Sequence, residues 1–160
     1  MKVLRFPDPR LRVKARELKV IDKEVRKIFG QMKELMYEED GIGLAATQVG
    51  VDLRFFVFDL SKEERKPQVV INPFIISKSE EKIVFEEGCL SIPGLKVPVE
   101  RSKKIVVKWI DEKGNEIQKE LTELESVLFQ HEIDHLEGKL IIDKLPEEER
   151  KRIIKEIVGI

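Results

Sequence analysis

The stretch TELESVLFQHEIDHLEG, Thr122 to Gly138, organises the rest of the chain. Leu124, Val127, Leu128, Ile133 and Leu136 recur at helical spacing, and Thr122 with Glu125 has the spacing of a capping box. Gly138 suits a C-terminal stop. The spacing therefore predicts a helix with His131 and His135 four residues apart on one face, where both imidazoles reach one ion without bending the backbone. Glu132 follows the first histidine and lies beside that ion without having to ligate it, where hydrolysis needs a general base. These are the only two histidines in the chain, so a solvated helix face with incidental histidines is a poor account. A structural zinc site takes four protein ligands, and Cys89 plus two histidines is one short unless a carboxylate helps. Three ligands and one open position describe a catalytic metal site, with Cys89, the only thiol, as the natural third. A lone cysteine is more often a small buried hydrophobe, but the otherwise incomplete histidine pair reverses that reading. Ferrous iron, zinc, cobalt and nickel all suit such a donor set.

Upstream, Asp22 is a good N-cap for a helix whose apolar positions are Val25, Ile28, Phe29, Met32, Leu35 and Met36, stopped by Gly41 after Glu38-Glu39-Asp40. Between the two helices the chain is rich in Val, Ile and Phe. Leu53–Leu60, Gln68–Ile71, Lys82–Glu86 and Lys104–Ile110 read as strands. Asp111 to Gly114 reads as a turn into Asn115–Leu121. A last helix starts at Pro146, with Glu147, Glu148 and Glu149 complementing its dipole. The expected class is α+β: a β-rich middle packed around a central metal-binding helix, with an N-terminal and a C-terminal helix.

The 160 residues suit one domain, 1–160, large enough to fold without disulfides. Thirty basic and 31 acidic residues leave a net charge of −1, with no general electrostatic reason to bind nucleic acid or an anionic membrane. Charged residues make up 38% of the chain, and Asn72 and Asn115 are its only asparagines. This composition leans toward a heat-stable protein, and it also fits a very soluble mesophilic one. Met1 to Pro9 does not resemble a signal peptide and no apolar run reaches membrane length, so a cytoplasmic location is expected.

Three segments together resemble the peptide deformylase family. Gly41-Ile42-Gly43-Leu44-Ala45-Ala46-Thr47-Gln48 is similar to its GxGLAAxQ, Glu87-Gly88-Cys89-Leu90-Ser91 to its EGCLS, and Gln130 to Leu136 to its QHExDHL. The similarity runs from Phe6-Pro7-Asp8 to about Leu145. A His-Glu-x-x-His helix alone occurs in many unrelated hydrolases; the three segments in order are far more specific.

The resemblance implies removal of the formyl group from the N-terminal formyl-methionine of new polypeptides, with release of formate. It makes Cys89, His131 and His135 ligands of one divalent ion, Fe2+ natively, with Zn2+, Ni2+ or Co2+ able to substitute. Glu132 becomes general base and acid, and Gln48 with the Leu90 N–H becomes donor to the developing oxyanion. Backbone near Gly43, with Gly88 to Leu90 opposite, would pair with the extended substrate. Ile42, Phe85, Leu124, Val127 and Leu128 are the candidates for an apolar methionine pocket, and ordinary core is the competing reading of these five. Gln48 without the motif would read as a loop residue, and Gly41 and Gly43 as a helix stop and a turn.

Asp134 is either a support for the site or a solvated carboxylate. Arg101 either positions a loop, binds substrate carbonyls or lies on the surface. Gly94-Leu95-Lys96 departs from the arginine-containing stretch of many bacterial members, and a lysine cannot repeat a bidentate arginine contact. The chain ends soon after Lys155 without a basic tail. Lys151, Arg152 and Lys155 allow a weak ribosome contact, and a helix packed on its own domain explains them as well. Two other functions stay open: another amidase or peptidase with the same machinery, and a metal-stabilised binding module, against which Glu132 and Gln48 argue.

Overall fold

The computed structural model describes residues 1–159. Helix α1 spans Lys23–Glu38, and the Asp22 carboxylate accepts the Val25 N–H at 2.9 Å as the N-cap expectation requires. Its stop is made differently from the sequence reading. Asp40, not Gly41, takes the left-handed conformation (φ 55°). The Gly41 N–H then bonds the Met36 carbonyl at 2.9 Å and the Asp40 N–H that of Tyr37 at 3.1 Å. Gly41 is small for another reason: a Cβ there would lie 2.9 Å from the Leu90 side chain.

Five antiparallel strands form one sheet: β1 (Gly43–Ala45), β2 (Phe55–Phe58), β3 (Gln68–Lys78), β6 (Lys104–Ile110) and β7 (Glu116–Thr122), in the order β1-β2-β3-β6-β7. Strands β4 (Lys82–Cys89) and β5 (Ile92–Ser102) form a separate two-stranded ribbon. The short edge strand β1 and the strand β5 had no counterpart in the sequence reading. Pro93, Gly94 and Pro98 interrupt the pattern of β5, yet a two-stranded ribbon leaves free edges where proline removes no ladder bond. Strand β3 runs past the expected end at Ile71 because Asn72 (φ 51°) and two register shifts carry the chain onward instead of ending the pairing.

All four residues of β2 are buried, and their alternation sorts them between two clusters. Phe55 and Val57 pack with Phe29, Met32 and Met36 of α1. Phe56 and Phe58 pack with Phe129 and Ile133 of the second helix, α2 (Glu123–Leu136). The Phe129 ring meets Phe56, Phe58 and Trp109 at centroid distances of 5.1, 5.2 and 5.1 Å. The two helices thus flank the large sheet, with α2 in the interior, as the α+β reading expects. A third cluster joins Val97 and Val99 of β5 to Leu140, Ile141 and Ile142 after α2, with Leu4 and Leu11 from the N-terminal segment.

Thr122 is the N-cap of α2, but its side chain makes no capping bond, so the expected capping box is absent. The chain enters the helix straight from β7 with Glu123 left-handed (φ 54°), and the Glu123 N–H is taken by the Lys103 carbonyl at 3.0 Å. The other end follows the sequence. Gly138 is left-handed (φ 76°) and its N–H reaches the His135 carbonyl at 3.0 Å, while a Cβ there would collide with the Arg12 carbonyl. Helix α3 covers Glu147–Val158 with Pro146 as its N-cap, and Ile153 and Ile154 rest on the third cluster. Among the described residues no helix is long and apolar enough to cross a membrane.

Candidate metal centre and cleft

Cys89 ends β4, and the two histidines lie one turn apart on α2. The Cys89 Sγ is 3.3 Å from His135 Nε2, which is 3.2 Å from His131 Nε2. The three donor atoms all lie within 4.8 Å of one another. Bonds of about 2.0–2.1 Å to nitrogen and about 2.3 Å to sulfur place tetrahedral donors about 3.3–3.6 Å apart, so the spacing fits one four-coordinate ion. The charges fit too. Burial opposes ionisation of Cys89, but His135 and His131 hold its thiol well below the usual range. Burial likewise opposes charge on His131, yet its bonds to Cys89 and Glu87 raise it to about 10. A site that keeps a thiolate by retaining a proton on imidazole is one where a cation can replace that proton.

Glu132 lies next to the donors, 4% exposed. Burial raises its pKa, with His131 and His135 pulling the other way. Glu132 Oε1 and His135 Nδ1 are buried without a hydrogen-bond partner. His135 turns Nε2, not Nδ1, to the other donors, so the orphaned atom at the donor cluster is Glu132 Oε1, and it calls for an ion or a reacting group there. Gly43 faces the same carboxylate, and a Cβ built on it would stand 2.5 Å from Glu132 Oε2. This glycine is required by close approach to a side chain rather than by a turn.

Gln48 is 2% exposed, which sets aside the loop-residue reading. Its Oε1 accepts the Ala45 N–H at 2.9 Å, which turns the amide nitrogen toward Ser91 Oγ (3.1 Å) and Cys89 Sγ (3.5 Å). Leu90 sits in the two-residue turn between β4 and β5, flanked by the Cys89 and Ser91 that meet that amide. A cleft of about 510 Å³ opens on the site. Ile42, Gly43, Gln48, Phe85, Gly88, Leu90, Leu124, Val127, Leu128, His131 and Glu132 all line it with Cys89, while His135 lies beneath, 1% exposed. Val127 and Leu128 are buried at its base, and Ile42 and Leu124 are exposed at its mouth.

The sequence reading left Glu87 without a role. Its Oε1 is 2.8 Å from His131 Nδ1, and both its oxygens accept the Arg101 guanidinium, at 2.7 and 2.9 Å. Burial opposes the Glu87 charge, but His131 and Arg101 lower its pKa. Glu87 stands two residues before Cys89 in a strand, and that spacing was the available signal. Arg101 is 5% exposed, so it is no surface residue, and its third contact is the Asp134 carboxylate at 2.8 Å. Asp134 therefore supports the site through Arg101. Thr47, passed over in the motif, donates from Oγ1 to the His135 carbonyl at 3.1 Å. Lys96 is exposed at the rim, its ammonium over Gly88.

A buried carboxyl beside three converging S and N donors, at the floor of an open cleft, defines a metal-dependent hydrolase. The model of the polypeptide deformylase family matches residues 1–151, beyond the Phe6–Leu145 span of the sequence similarity at both ends. The peptide deformylase of Pseudoalteromonas translucida is 47% identical over 98% of this chain and 93% of its own length. That of Pseudothermotoga lettingae is 43% identical over 99% and 91%. The crystal structure of the Thermotoga maritima peptide deformylase superposes with a TM-score of 0.86 at 44% identity, covering 91% of this chain and 97% of that one. The Synechococcus elongatus peptide deformylase, crystallised with actinonin, gives 0.92 at 36% identity, covering 99% and 88%. The chain belongs to the polypeptide deformylase family, metal-dependent hydrolases that remove the N-formyl group from nascent polypeptides.

Proposed function

We propose that residues 1–160 act as one catalytic domain in which Cys89, His131 and His135 hold a ferrous ion, Glu132 moves the proton, and Gln48 with the Leu90 N–H steadies the oxyanion. The observation that carries this reading is the buried Glu132 carboxyl, unpartnered at Oε1, next to the three donors. The ion, when bound, supplies Lewis acidity toward the formyl carbonyl and acidifies water.

The residues of the chain do the rest. Glu132, kept basic enough by burial to hold a proton briefly, takes one from the attacking water and delivers it to the departing amine. The formyl C–N bond breaks, and formate and a free methionyl amine leave. The Gln48 amide, fixed through Oε1, would turn the N–H of its longer contact, 3.5 Å to Cys89 Sγ, to the formyl oxygen where charge grows, and the Leu90 amide offers a second; one such donor is typically worth about 2.7–4 kcal/mol. The substrate chain lies extended between the Gly43 edge of β1 and Gly88 to Leu90, paired through main chain, which tolerates any sequence after methionine. Methionine enters between Ile42, Phe85, Leu124, Val127 and Leu128.

The mixed thiolate and imidazole donors also accept zinc, nickel or cobalt. The substrate is the formyl-methionyl nascent chain, met in the cytoplasm. A ribosome contact through α3 is weak at most, since Lys151 pairs with Glu147 and Arg152 with Glu156 within the helix. No membrane and no sequence-specific nucleic-acid contact is part of this reading.

The test is formate release from a short formyl-methionyl peptide by anaerobically iron-loaded protein beside Glu132→Gln. Rapid release by the wild type, reduced about 10²–10⁴-fold in the variant at equal metal content, is expected. Unchanged release by the variant removes Glu132 from the role. Hydrolysis of the N-acetyl peptide at a similar rate would favour a general amidase.

A further inference from the structure

Nine of the fourteen residues of α2 are buried. A helix buried on most of its faces has no single apolar stripe opposite a solvated one to set its rotation, so directional contacts add to what packing specifies. Rotation matters here: successive helix residues point about 100° apart, and His131, Glu132 and His135 must all meet Cys89 on a different element.

Gln130 supplies a directional restraint. Its Oε1 accepts the Ser102 N–H at 3.3 Å and its Nε2 donates to the Ser102 carbonyl at 2.9 Å, so the side-chain amide pairs both backbone groups of one residue. The Nε2 also reaches Ser126 Oγ at 3.0 Å, and that hydroxyl donates to the same Ser102 carbonyl at 2.9 Å. Gln130, Ser126 and Ser102 are 5%, 0% and 2% exposed, so water does not compete for these bonds. Ser102 ends β5, the ribbon strand paired with the strand that carries Cys89. The preceding residue, Arg101, holds Glu87, which holds His131. Two adjacent ribbon residues therefore grip two adjacent helix residues.

We propose that Gln130 is a positioning residue for the metal centre: its buried amide, clamped to the Ser102 backbone and Ser126, sets the rotation of α2 so that the histidines meet Cys89. The inference rests on the ligand assignment proposed above. Methionine matches glutamine in length and lacks both polar groups, so Gln130→Met is the direct variant. In cobalt-loaded protein it shifts the visible ligand-field bands. It also lowers kcat about 10–100-fold, as loss of a group supporting a ligand does, with KM within about twofold. Ser126→Ala, a change a helix tolerates well, shifts the bands in the same direction by less.

A merely structural Gln130 would lower the unfolding temperature while leaving the cobalt bands and kcat per folded molecule at wild-type values, and that result overturns the inference. If Gln130→Met does not fold, Ser126→Ala decides: unchanged bands and unchanged kcat overturn it. A wild-type protein without the thiolate-to-cobalt charge-transfer band overturns the ligand assignment instead, and the inference with it.

Discussion

Replacing Gly43 by alanine tests whether the Glu132 carboxylate must sit where it does. A Cβ at residue 43 would stand 2.5 Å from Glu132 Oε2, 3.1 Å from its Cδ and 3.4 Å from its Cγ. Ordinary van der Waals contact begins near 3.4 Å, so Oε2 must retreat by about 0.9 Å. The backbone of Gly43 cannot yield easily, because β1 is paired in register with β2 from Gly43↔Phe58 to Ala45↔Phe56. Glu132 therefore rotates off its favoured rotamer, at about 0.5–1.5 kcal/mol. A displacement near 1 Å of a group that must meet the reacting water can cost about 100-fold in rate. Gly43→Ala should thus lower kcat for formate release about 100-fold while metal content stays at one ion per chain. That rotamer strain should also reduce stability by about 0.5–1.5 kcal/mol, seen in urea unfolding. A kcat within threefold of wild type, in metal-loaded and folded protein, would refute the argument that this glycine exists to seat the carboxylate.

Removing Arg101 with Arg101→Met leaves the Glu87 carboxylate buried and short of its counter-charge; thermal and urea unfolding should show a loss of about 3–5 kcal/mol. Arg101→Lys should restore little, since lysine cannot present the two-pronged contact to Glu87, and near-wild-type stability in that variant would contradict the reading. Asp143 accepts the Arg12 fork and the Leu140 N–H, which outweigh burial and lower its pKa below the ordinary 3.8. A depressed carboxyl stabilises the fold above its unfolded value and loses that contribution as pH falls through the folded one. The stability gap between wild type and Asp143→Asn, about 1 kcal/mol or less for this half-exposed pair, should therefore be full at neutral pH and shrink below pH 3.8. A gap that stays constant from pH 7 to pH 3 would remove the ion pair as its source. In air, iron-loaded protein should lose activity faster than the nickel or zinc form, because ferrous iron itself reacts with oxygen and does so beside the oxidisable Cys89, whereas zinc and nickel do not; equal decay rates would count against this.

Local patterns carried α1, α2 and the chemistry-bearing residues, because helical periodicity, caps and the four-residue histidine spacing are properties of adjacent positions. Asp22 and Gly138 act where the sequence places them. Failures of local reading have tertiary causes. Thr122 makes no capping bond where the chain enters α2 straight from β7, with Glu123 left-handed and its N–H on the Lys103 carbonyl of another segment. Strand β5 hides behind prolines that a free-edged ribbon tolerates, and Asp40 rather than Gly41 takes the left-handed turn, while Gly41 lies against Leu90 of another element.

The chain read alone was enough to single out the candidates for the chemistry: one thiol, two histidines on one helical face, a glutamate between them and a glutamine in a glycine-rich segment. How they are held emerges only once the elements pack. The Arg101–Glu87–His131 chain joins residues 14 and 44 positions apart, and the Gln130 clamp joins helix to ribbon. Such contacts depend on which strands pair and at what register, and burial alone turns ordinary arginines, glutamates and glutamines into fixed supports. That is a property of the assembled core, which no local spacing encodes.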